Sequence, residues 1–191
     1  VSLKILGGDF RGFQIQVPKN SKTRPTSVML RRRLFDRRQN LEGVVFVDLC
    51  AGTGSMAFEA LSRGATKAIM SENNRIMSAL LEQNINLLKK KFSHIEILLF
   101  KGKIETYLSN LKKELKNFDE EVIIFFDPPY SEVGLYELIL KDLSSWYLGE
   151  IWVEYDEELV SQGLFEQFHL KVHKTLKQSS SSLIIGSFQN S

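Results

Sequence analysis

Hydrophobic residues along the chain follow two patterns that alternate with each other. Short apolar runs, several of them β-branched, predict buried strands over residues 44–47, 68–71, 95–100, 122–126 and 151–155. Apolar residues at helical spacing predict helices over residues 55–63, 74–91, 104–116 and 135–143. Because strands and helices alternate, the chain is predicted to form an α/β fold around an open, mainly parallel sheet.

The two ends of the chain depart from this alternation. Residues 3–17 alternate apolar and polar positions around a Gly-Gly pair, which predicts a hairpin with a tight turn, and a helix is expected from Pro25 to about residue 40. Near the C-terminus, residues 165–174 and 182–188 are β-rich and have no helix between them, so they are predicted to pair as an antiparallel hairpin. The prediction is therefore a seven-stranded sheet domain over residues 43–191, preceded by a small hairpin-and-helix extension over residues 1–42.

Composition narrows the class of protein. The chain has 191 residues, 43% of them hydrophobic and 25% charged, which suits one globular domain. No apolar run approaches the roughly 18 residues of a membrane span, and the first residues lack the apolar core of a signal peptide. One cysteine and three scattered histidines exclude a disulfide framework and argue against a metal site. We expect a cytoplasmic protein without membrane contact or bound metal.

Charge is distributed unevenly along the chain. Residues 1–40 contain ten basic and two acidic side chains, a net charge of +8, whereas the remainder carries fifteen basic and twenty-one acidic side chains, a net charge of −6. Two interpretations stay open on charge alone. The basic segment is either a solvated arm or the contact surface for a polyanion, since release of counterions favours clustered Lys and Arg.

The first motif with chemical content follows the first predicted strand of the sheet. Asp48-Leu49-Cys50-Ala51-Gly52-Thr53-Gly54 forms a glycine turn before a helix, and Glu72 ends the next strand. Glycines let a ligand approach the backbone, and an acid at this distance can accept both hydroxyls of a ribose. The pattern favours a nucleoside-containing cofactor over a plain strand-turn-helix connection with a surface glutamate. The third glycine of the dinucleotide fingerprint is missing, which argues against NAD and FAD.

The second motif, Asp127-Pro128-Pro129-Tyr130, follows the most hydrophobic predicted strand. The two prolines fix the backbone and remove two N–H donors, so that carbonyl groups stay available as acceptors. An acidic side chain beside such a carbonyl can accept both hydrogens of an exocyclic amino group, and a tyrosine ring can stack on a base. The alternative is a rigid loop with a solvated aspartate. In an open α/β sheet both motifs are expected at the same carboxyl edge.

These motifs in this order resemble a known family. DLCAGTGS at residues 48–55 followed by DPPY resembles the class I S-adenosylmethionine-dependent methyltransferases, which have a Rossmann-like sheet and modify exocyclic amino groups. A narrower resemblance, to the RsmD family, rests on ILGGDFRG at residues 5–12, TRPTS at 23–27, Leu34-Phe35 and EALSRGA at 59–65. That family methylates N2 of a guanine in 16S ribosomal RNA of the small ribosomal subunit.

The resemblance implies roles for individual residues. Asp48, Ala51, Gly52, Thr53 and Gly54 would surround the methionine part of S-adenosylmethionine. Glu72 would hold the ribose, with Asn73 beside the adenine and the backbone near Ile104 at the adenine edge. Asp127, Pro128 and Tyr130 would hold the target guanine, and Arg11, Arg24 and Thr26 would face the RNA or close over the site.

Two departures from the family pattern concern ligand contacts. Gly102-Lys103 stands where many methyltransferases have an acid that binds the adenine amino group, so only a main-chain contact is expected there. Arg31-Arg32-Arg33 stands where the family usually has an acid, and we expect Arg31 to contact RNA.

The resulting hypothesis is direct methyl transfer to guanine N2 by a monomer whose substrate is 16S ribosomal RNA within the small subunit or an assembly intermediate. Three alternatives remain. A DNA adenine-N6 or cytosine-N4 methyltransferase would use the same amino clamp, but the chain has no room for a target-recognition domain. A protein glutamine methyltransferase suits the clamp but not the basic extension. A non-catalytic ribosome-assembly factor would not need an intact glycine turn, Glu72 and Asp127.

Overall fold

The computed structural model describes residues 2–18, 25–129 and 132–189. Its strands are β1 (Ser2–Lys4), β2 (Gln14–Gln16), β3 (Val44–Asp48), β4 (Lys67–Glu72), β5 (Glu96–Lys101), β6 (Glu121–Phe126), β7 (Glu150–Asp156), β8 (Leu170–Gln178) and β9 (Ser181–Phe188). Its helices are α1 (Pro25–Arg37), α2 (Ser55–Ser62), α3 (Arg75–Lys91), α4 (Ile104–Leu115), α5 (Val133–Ser144) and α6 (Gln162–Gln167).

Seven of these strands form one sheet in the order β5-β4-β3-β6-β7-β9-β8. The first five in that order are parallel, and β9 runs antiparallel to both of its neighbours. The predicted sheet, with its antiparallel terminal hairpin, is confirmed. The chain passes from β3 outward through β4 and β5, then returns to place β6 on the other side of β3. Open α/β sheets bind ligands at such a switch point, outside the carboxyl ends of the strands.

The sheet is covered by apolar side chains on both faces. One cluster, with Val45, Ile124 and Val153, lies under α4 and α5, and the other, with Phe46 and Trp152, lies under α2 and α3. Side chains from the extension join the second cluster: Ile5, Phe10, Ile15, Leu30, Leu34 and Phe35 are all buried there. Residues before β3 therefore share the core of the sheet domain.

The hairpin near the N-terminus differs from its prediction. β1 and β2 pair over three residues each, and the segment between them spans residues 5–13 instead of turning at Gly7-Gly8. That segment docks on the end of α2, where Asp9 N donates to the Ser62 carbonyl at 2.7 Å and Phe10 N donates to Ser62 Oγ at 2.8 Å. A Cβ on Gly8 would lie 1.8 Å from the Ser62 carbonyl oxygen. Glycine is needed here for close approach of two backbones, not for a two-residue turn.

The stretch at residues 165–174 also differs in part from its prediction. α6 covers Gln162–Gln167, and β8 begins only at Leu170. Phe165 belongs to this helix; its side chain is buried and packs on Tyr155, with the ring centroids 5.0 Å apart. A single turn of helix carries too few apolar residues to show helical spacing, so the sequence pattern did not separate it from the strand that follows.

Candidate active site

A cleft of about 870 Å³ opens at the carboxyl edge of the sheet, over the ends of β3, β4, β6 and β7. Its walls are formed by the loop after β3, the end of β4 with the start of α3, the start of α4, and the segment after β6. The lining residues are Leu49, Cys50, Gly52, Ser71, Glu72, Asn73, Asn74, Met77, Gly102, Ile104, Glu105, Asp127, Pro128, Pro129, Glu132, Leu135 and Glu154. Both predicted motifs therefore meet in one cleft.

The two glycines of the loop after β3 have different surroundings. Gly52 has a φ of +52°, and a Cβ there would point into open space, with Met77 Cε as its nearest neighbour at 3.9 Å. Gly54 has a φ of +83° and precedes α2, but a Cβ there would lie 2.6 Å from Leu81 Cδ1 and 2.8 Å from the ring of Phe58. Gly52 thus leaves room for a ligand, whereas Gly54 leaves room for the protein's own core.

Two backbone N–H groups of cleft-lining residues hold the Glu72 carboxylate in place. Its Oε2 accepts from Gly52 N at 2.8 Å, and its Oε1 accepts from Asn74 N at 2.7 Å. The Asn74 side chain caps α3 by accepting from Ile76 N and Met77 N. Since a carboxylate offers about four acceptor positions, Glu72 keeps capacity to accept from two neighbouring hydroxyl groups.

Asn84, on α3, connects the loop after β3 (the cofactor loop, residues 49–54) to the N-terminal extension. Its side chain is fully buried; Nδ2 donates to the carbonyls of Gln16 at 3.0 Å and Thr53 at 3.3 Å, while Oδ1 accepts from Gln16 N at 2.9 Å. The loop after β3 is thereby tied to β2.

Two titratable groups, Asp48 at the end of β3 and Cys50 in the loop that follows, sit in an environment that disfavours negative charge. Burial, together with the nearby carboxylate of Asp127, raises the pKa of Asp48 to about 8. Within the described residues, Asp48 Oδ1 is buried and has no hydrogen-bond partner. Burial also raises the pKa of the Cys50 thiol, so this cysteine, though it lines the cleft, is not a thiolate nucleophile at neutral pH.

Asp127 and Pro128 line the other half of the cleft, directly after β6. The register of β3 and β6 pairs Asp48 with Phe125, and Leu49 N donates to the Phe125 carbonyl at 3.0 Å. These contacts set the segment after β6 beside the loop after β3, as the two motifs predicted. Tyr130, the last residue of the DPPY motif, lies outside the described residues.

The electrostatics of the cleft are one-sided. Carboxylates line it at Glu72, Glu105, Asp127, Glu132 and Glu154, and none of the described lining residues is Lys, Arg or His. A cationic ligand is favoured in such a cleft, and a phosphate is disfavoured. S-adenosylmethionine carries a sulfonium and an ammonium group, so it suits the acidic lining of the cleft and the space at Gly52.

The residues predicted to contact the cofactor divide into two groups. Gly52, Glu72, Asn73 and Ile104 line the cleft, whereas Asp48, Ala51, Thr53 and Gly54 are not among its lining residues. Lining residues that the sequence prediction missed include Asn74, Met77, Glu105, Glu132 and Glu154. For Asn74 a signal existed, because an asparagine just before a run at helical spacing is a typical N-cap that fixes the start of a helix.

Arg31 requires a correction. We expected it to contact RNA, but its side chain is only 4% exposed and its Nε lies 3.8 Å from Glu59 Oε1. Glu59 is fully buried, also pairs with Arg63, and accepts from Leu6 N at 2.6 Å. Arg31 thus helps to fasten the extension to α2 and is not presented on the surface.

The structure describes the other residues predicted to face RNA to different extents. Arg11 is exposed. Arg24 lies outside the described residues, and only the backbone of Thr26, in the first turn of α1, is described. Arg32 and Arg33, which follow Arg31, are exposed on α1.

No group of three or more His, Cys, Asp or Glu side chains with a geometry suited to a metal ion occurs within residues 2–18, 25–129 and 132–189. Among the helices in the same ranges, none has both the length and the apolar composition that a membrane crossing needs.

Comparison with known proteins gives consistent results along most of the chain. The model of a family described as conserved hypothetical protein 95 matches residues 3–185. Ribosomal RNA small subunit methyltransferase D of Escherichia coli K12 is 31% identical over 165 residues, which is 85% of this chain and 77% of that protein.

Solved structures show the same fold. The Escherichia coli protein yhhF, described as a candidate methyltransferase, superposes with a TM-score of 0.76 at 24% identity over the full length of both chains. A protein from Streptococcus mutans, described as a candidate S-adenosylmethionine-dependent methyltransferase, superposes with a TM-score of 0.62 at 11% identity. That superposition covers 93% of this chain and 50% of the other.

Proposed function

Because the chain belongs to the RsmD family of methyltransferases, we propose that it transfers a methyl group from S-adenosylmethionine to the exocyclic N2 of a guanine in small-subunit ribosomal RNA. The observation that carries the proposal is the meeting of two motifs at the switch point of the sheet. The loop at Gly52 and Glu72 forms one half of the cleft, and Asp127 with Pro128 forms the other half.

The half of the cleft around Gly52 suits the cofactor. Bound there, S-adenosylmethionine supplies a methyl group on a positively charged sulfur. Glu72, fixed by two backbone N–H donors, is positioned to accept from the ribose hydroxyls. Gly52 admits the ligand close to the backbone, and the surrounding carboxylates favour its positive charge.

The half of the cleft around Asp127 suits an exocyclic amino group. The lone pair of guanine N2 is delocalised into the ring, so the free amino group is a weak nucleophile. The Asp127 carboxylate and the carbonyl of Pro128 would accept hydrogen bonds from its two N–H groups and so fix the direction of the lone pair. Orientation of this kind can supply several kcal/mol of the barrier, roughly 7–11 kcal/mol in the best intramolecular reactions. Asp127 or solvent would then take the proton that nitrogen loses.

The distribution of charge suits an RNA substrate. The cleft is acidic, whereas residues 1–40, which make up most of the extension, carry a net charge of +8. Phosphates are therefore attracted to the extension and repelled from the cleft. The group that enters the cleft is then an uncharged base that has left its stack, as enzymes that modify bases require.

The experiment that tests this proposal measures transfer of a labelled methyl group to small subunits lacking the modification, to naked 16S RNA, and to DNA. Nucleoside analysis of the product identifies the base and the methylated atom. We expect label on guanine N2, and we expect Asp127→Ala to lose turnover by about 10²-fold or more while keeping cofactor affinity. Glu82→Ala, an exposed carboxylate on α3 that pairs with Lys101, serves as the matched control. Label on adenine N6, cytosine N4 or protein, or full activity of Asp127→Ala, would refute the proposal.

A further inference from the structure

We propose that Glu154 selects guanine over the other amino-bearing bases by accepting a hydrogen bond from its ring N1–H. This inference rests on the proposed function and adds a specificity-determining residue to it. No feature of the sequence pointed to Glu154, which lies within a buried strand.

The sheet places Glu154 beside the amino clamp. β6 and β7 are parallel, with Phe126 paired to Val153, so the next residues along are neighbours: Asp127 directly follows β6, and Glu154 lies near the end of β7. Neighbouring strands lie about 4.8 Å apart. Both residues line the same cleft, and Glu154 is only 7% exposed.

A side chain on α5 holds the backbone of Glu154 in place. The hydroxyl of Tyr136, on α5, donates to the Glu154 carbonyl at 2.9 Å. The Tyr136 ring is buried and packs edge-on against Phe126, with centroids 5.3 Å apart. The end of β7 is thus fixed relative to the end of β6, which keeps the two carboxylates in register.

The chemistry of the bases gives this pair of carboxylates a discriminating role. Adenine and cytosine each present a ring nitrogen acceptor beside the amino group on the Watson–Crick edge, whereas guanine presents the N1–H donor there. An ionised carboxylate can only accept. With Asp127 and the Pro128 carbonyl on the amino hydrogens, Glu154 would accept from N1–H of guanine, and it would face a lone pair on adenine or cytosine.

The probe that removes this contact is 2-aminopurine, which keeps the amino group at C2 but has a ring acceptor in place of N1–H and a hydrogen in place of O6. The comparison between protein variants then assigns the effect of N1 to Glu154. Small subunits would be reconstituted with 16S RNA carrying either guanine or 2-aminopurine at the position that the wild-type protein methylates. Single-turnover rates are measured at saturating cofactor for the wild type, Glu154→Gln and Glu82→Gln. The last variant is the matched control, because Glu82 is an exposed carboxylate on α3 that pairs with Lys101 and does not line the cleft.

We expect the wild type and Glu82→Gln to prefer guanine by about 10- to 150-fold, the range for loss of a hydrogen bond to a charged group. The preference of Glu154→Gln should fall close to 1, because the amide can donate to the ring acceptor of 2-aminopurine. An unchanged thermal midpoint shows that this nearly isosteric variant is folded.

The outcomes separate two kinds of failure. If the wild type transfers no methyl group to the guanine substrate, the proposed function fails. If it methylates guanine but accepts 2-aminopurine equally well, or if Glu154→Gln keeps the wild-type preference, the role of Glu154 is refuted and the proposed function stands.

Discussion

Replacing Asn84 with alanine should weaken the fold and the cofactor site together. The change removes hydrogen bonds of 2.9, 3.0 and 3.3 Å and leaves Gln16 N and two carbonyl groups without their side-chain partner. Unpaired groups of this kind cost about 1–3 kcal/mol each when buried, but β2 is partly exposed, so we expect a loss of about 2–4 kcal/mol in the free energy of unfolding. At about 2–4 °C per kcal/mol for a chain of this size, the thermal midpoint should fall by roughly 4–16 °C.

The same substitution frees the Thr53 carbonyl, so the loop at Gly52 should lose part of its order. We expect calorimetry to show about tenfold weaker S-adenosylmethionine binding, equivalent to one lost hydrogen bond of about 1.4 kcal/mol. Asn84→Asp should be at least as harmful, because it keeps the acceptor for Gln16 N but places oxygen against two carbonyls.

Ser62→Ala is the matched control for this experiment. Ser62 anchors the same extension by accepting from Phe10 N and donating to the Gly7 carbonyl, but neither bond involves the cofactor loop. We expect the control to lower the thermal midpoint without changing cofactor affinity. An unchanged midpoint in Asn84→Ala would refute the energetic argument. An equal loss of cofactor affinity in Ser62→Ala would refute the specific connection through Asn84.

Three further predictions concern glycine, charge and pH. Gly52→Ala should weaken cofactor binding in calorimetry with a small loss of stability, whereas Gly54→Ala should mainly lower the thermal midpoint, because its Cβ meets core side chains. Replacing the exposed Arg32 and Arg33 with glutamine should reduce the slope of log RNA affinity against log salt by about 0.7–0.9 per lost phosphate contact; an unchanged slope would mean that neither side chain contacts a phosphate. The pKa of Asp48 is raised to about 8 in the fold, so its contribution to stability is full below about pH 4 and is lost as pH rises toward 8. Urea unfolding should therefore show Asp48→Asn gaining on the wild type by up to about 1.4 kcal/mol per pH unit between those limits, and parallel curves would contradict this.

The parts of the site that could be predicted from sequence are those that depend on neighbours along the chain. A buried strand followed by a glycine turn specifies the loop at Gly52, and a hydrophobic strand followed by two prolines specifies the clamp at Asp127. The shared edge followed from the alternation of strands and helices, since parallel strands end on the same side of a sheet. Glu72 was found for the same reason, at the end of the next strand.

Other parts depend on packing between distant segments and could not be predicted from local pattern. Glu154 lies in a run that indicated only a buried strand, and its meaning comes from the pairing of β7 with β6. Arg31 was assigned to RNA because it begins a run of three arginines. Yet Leu34 and Phe35 follow it at i+3 and i+4, and both are fully buried, so helical spacing places Arg31 on the inner face of α1. A buried partner was then required, and Glu59 on α2 supplies it.

The burial of Arg31 changes how the charge of the extension should be understood. Net charge counts every arginine equally, but one whose guanidinium is paired with Glu59 inside the protein adds little to the field felt by a polyanion. Any attraction for RNA must come from the exposed basic side chains of the extension, such as Arg11, Arg32 and Arg33. The described lining of the cleft is acidic, so the cleft disfavours the phosphates that the extension attracts. Under the proposed function, the protein therefore favours a base turned away from its backbone even before Asp127 and Glu154 meet the Watson–Crick edge.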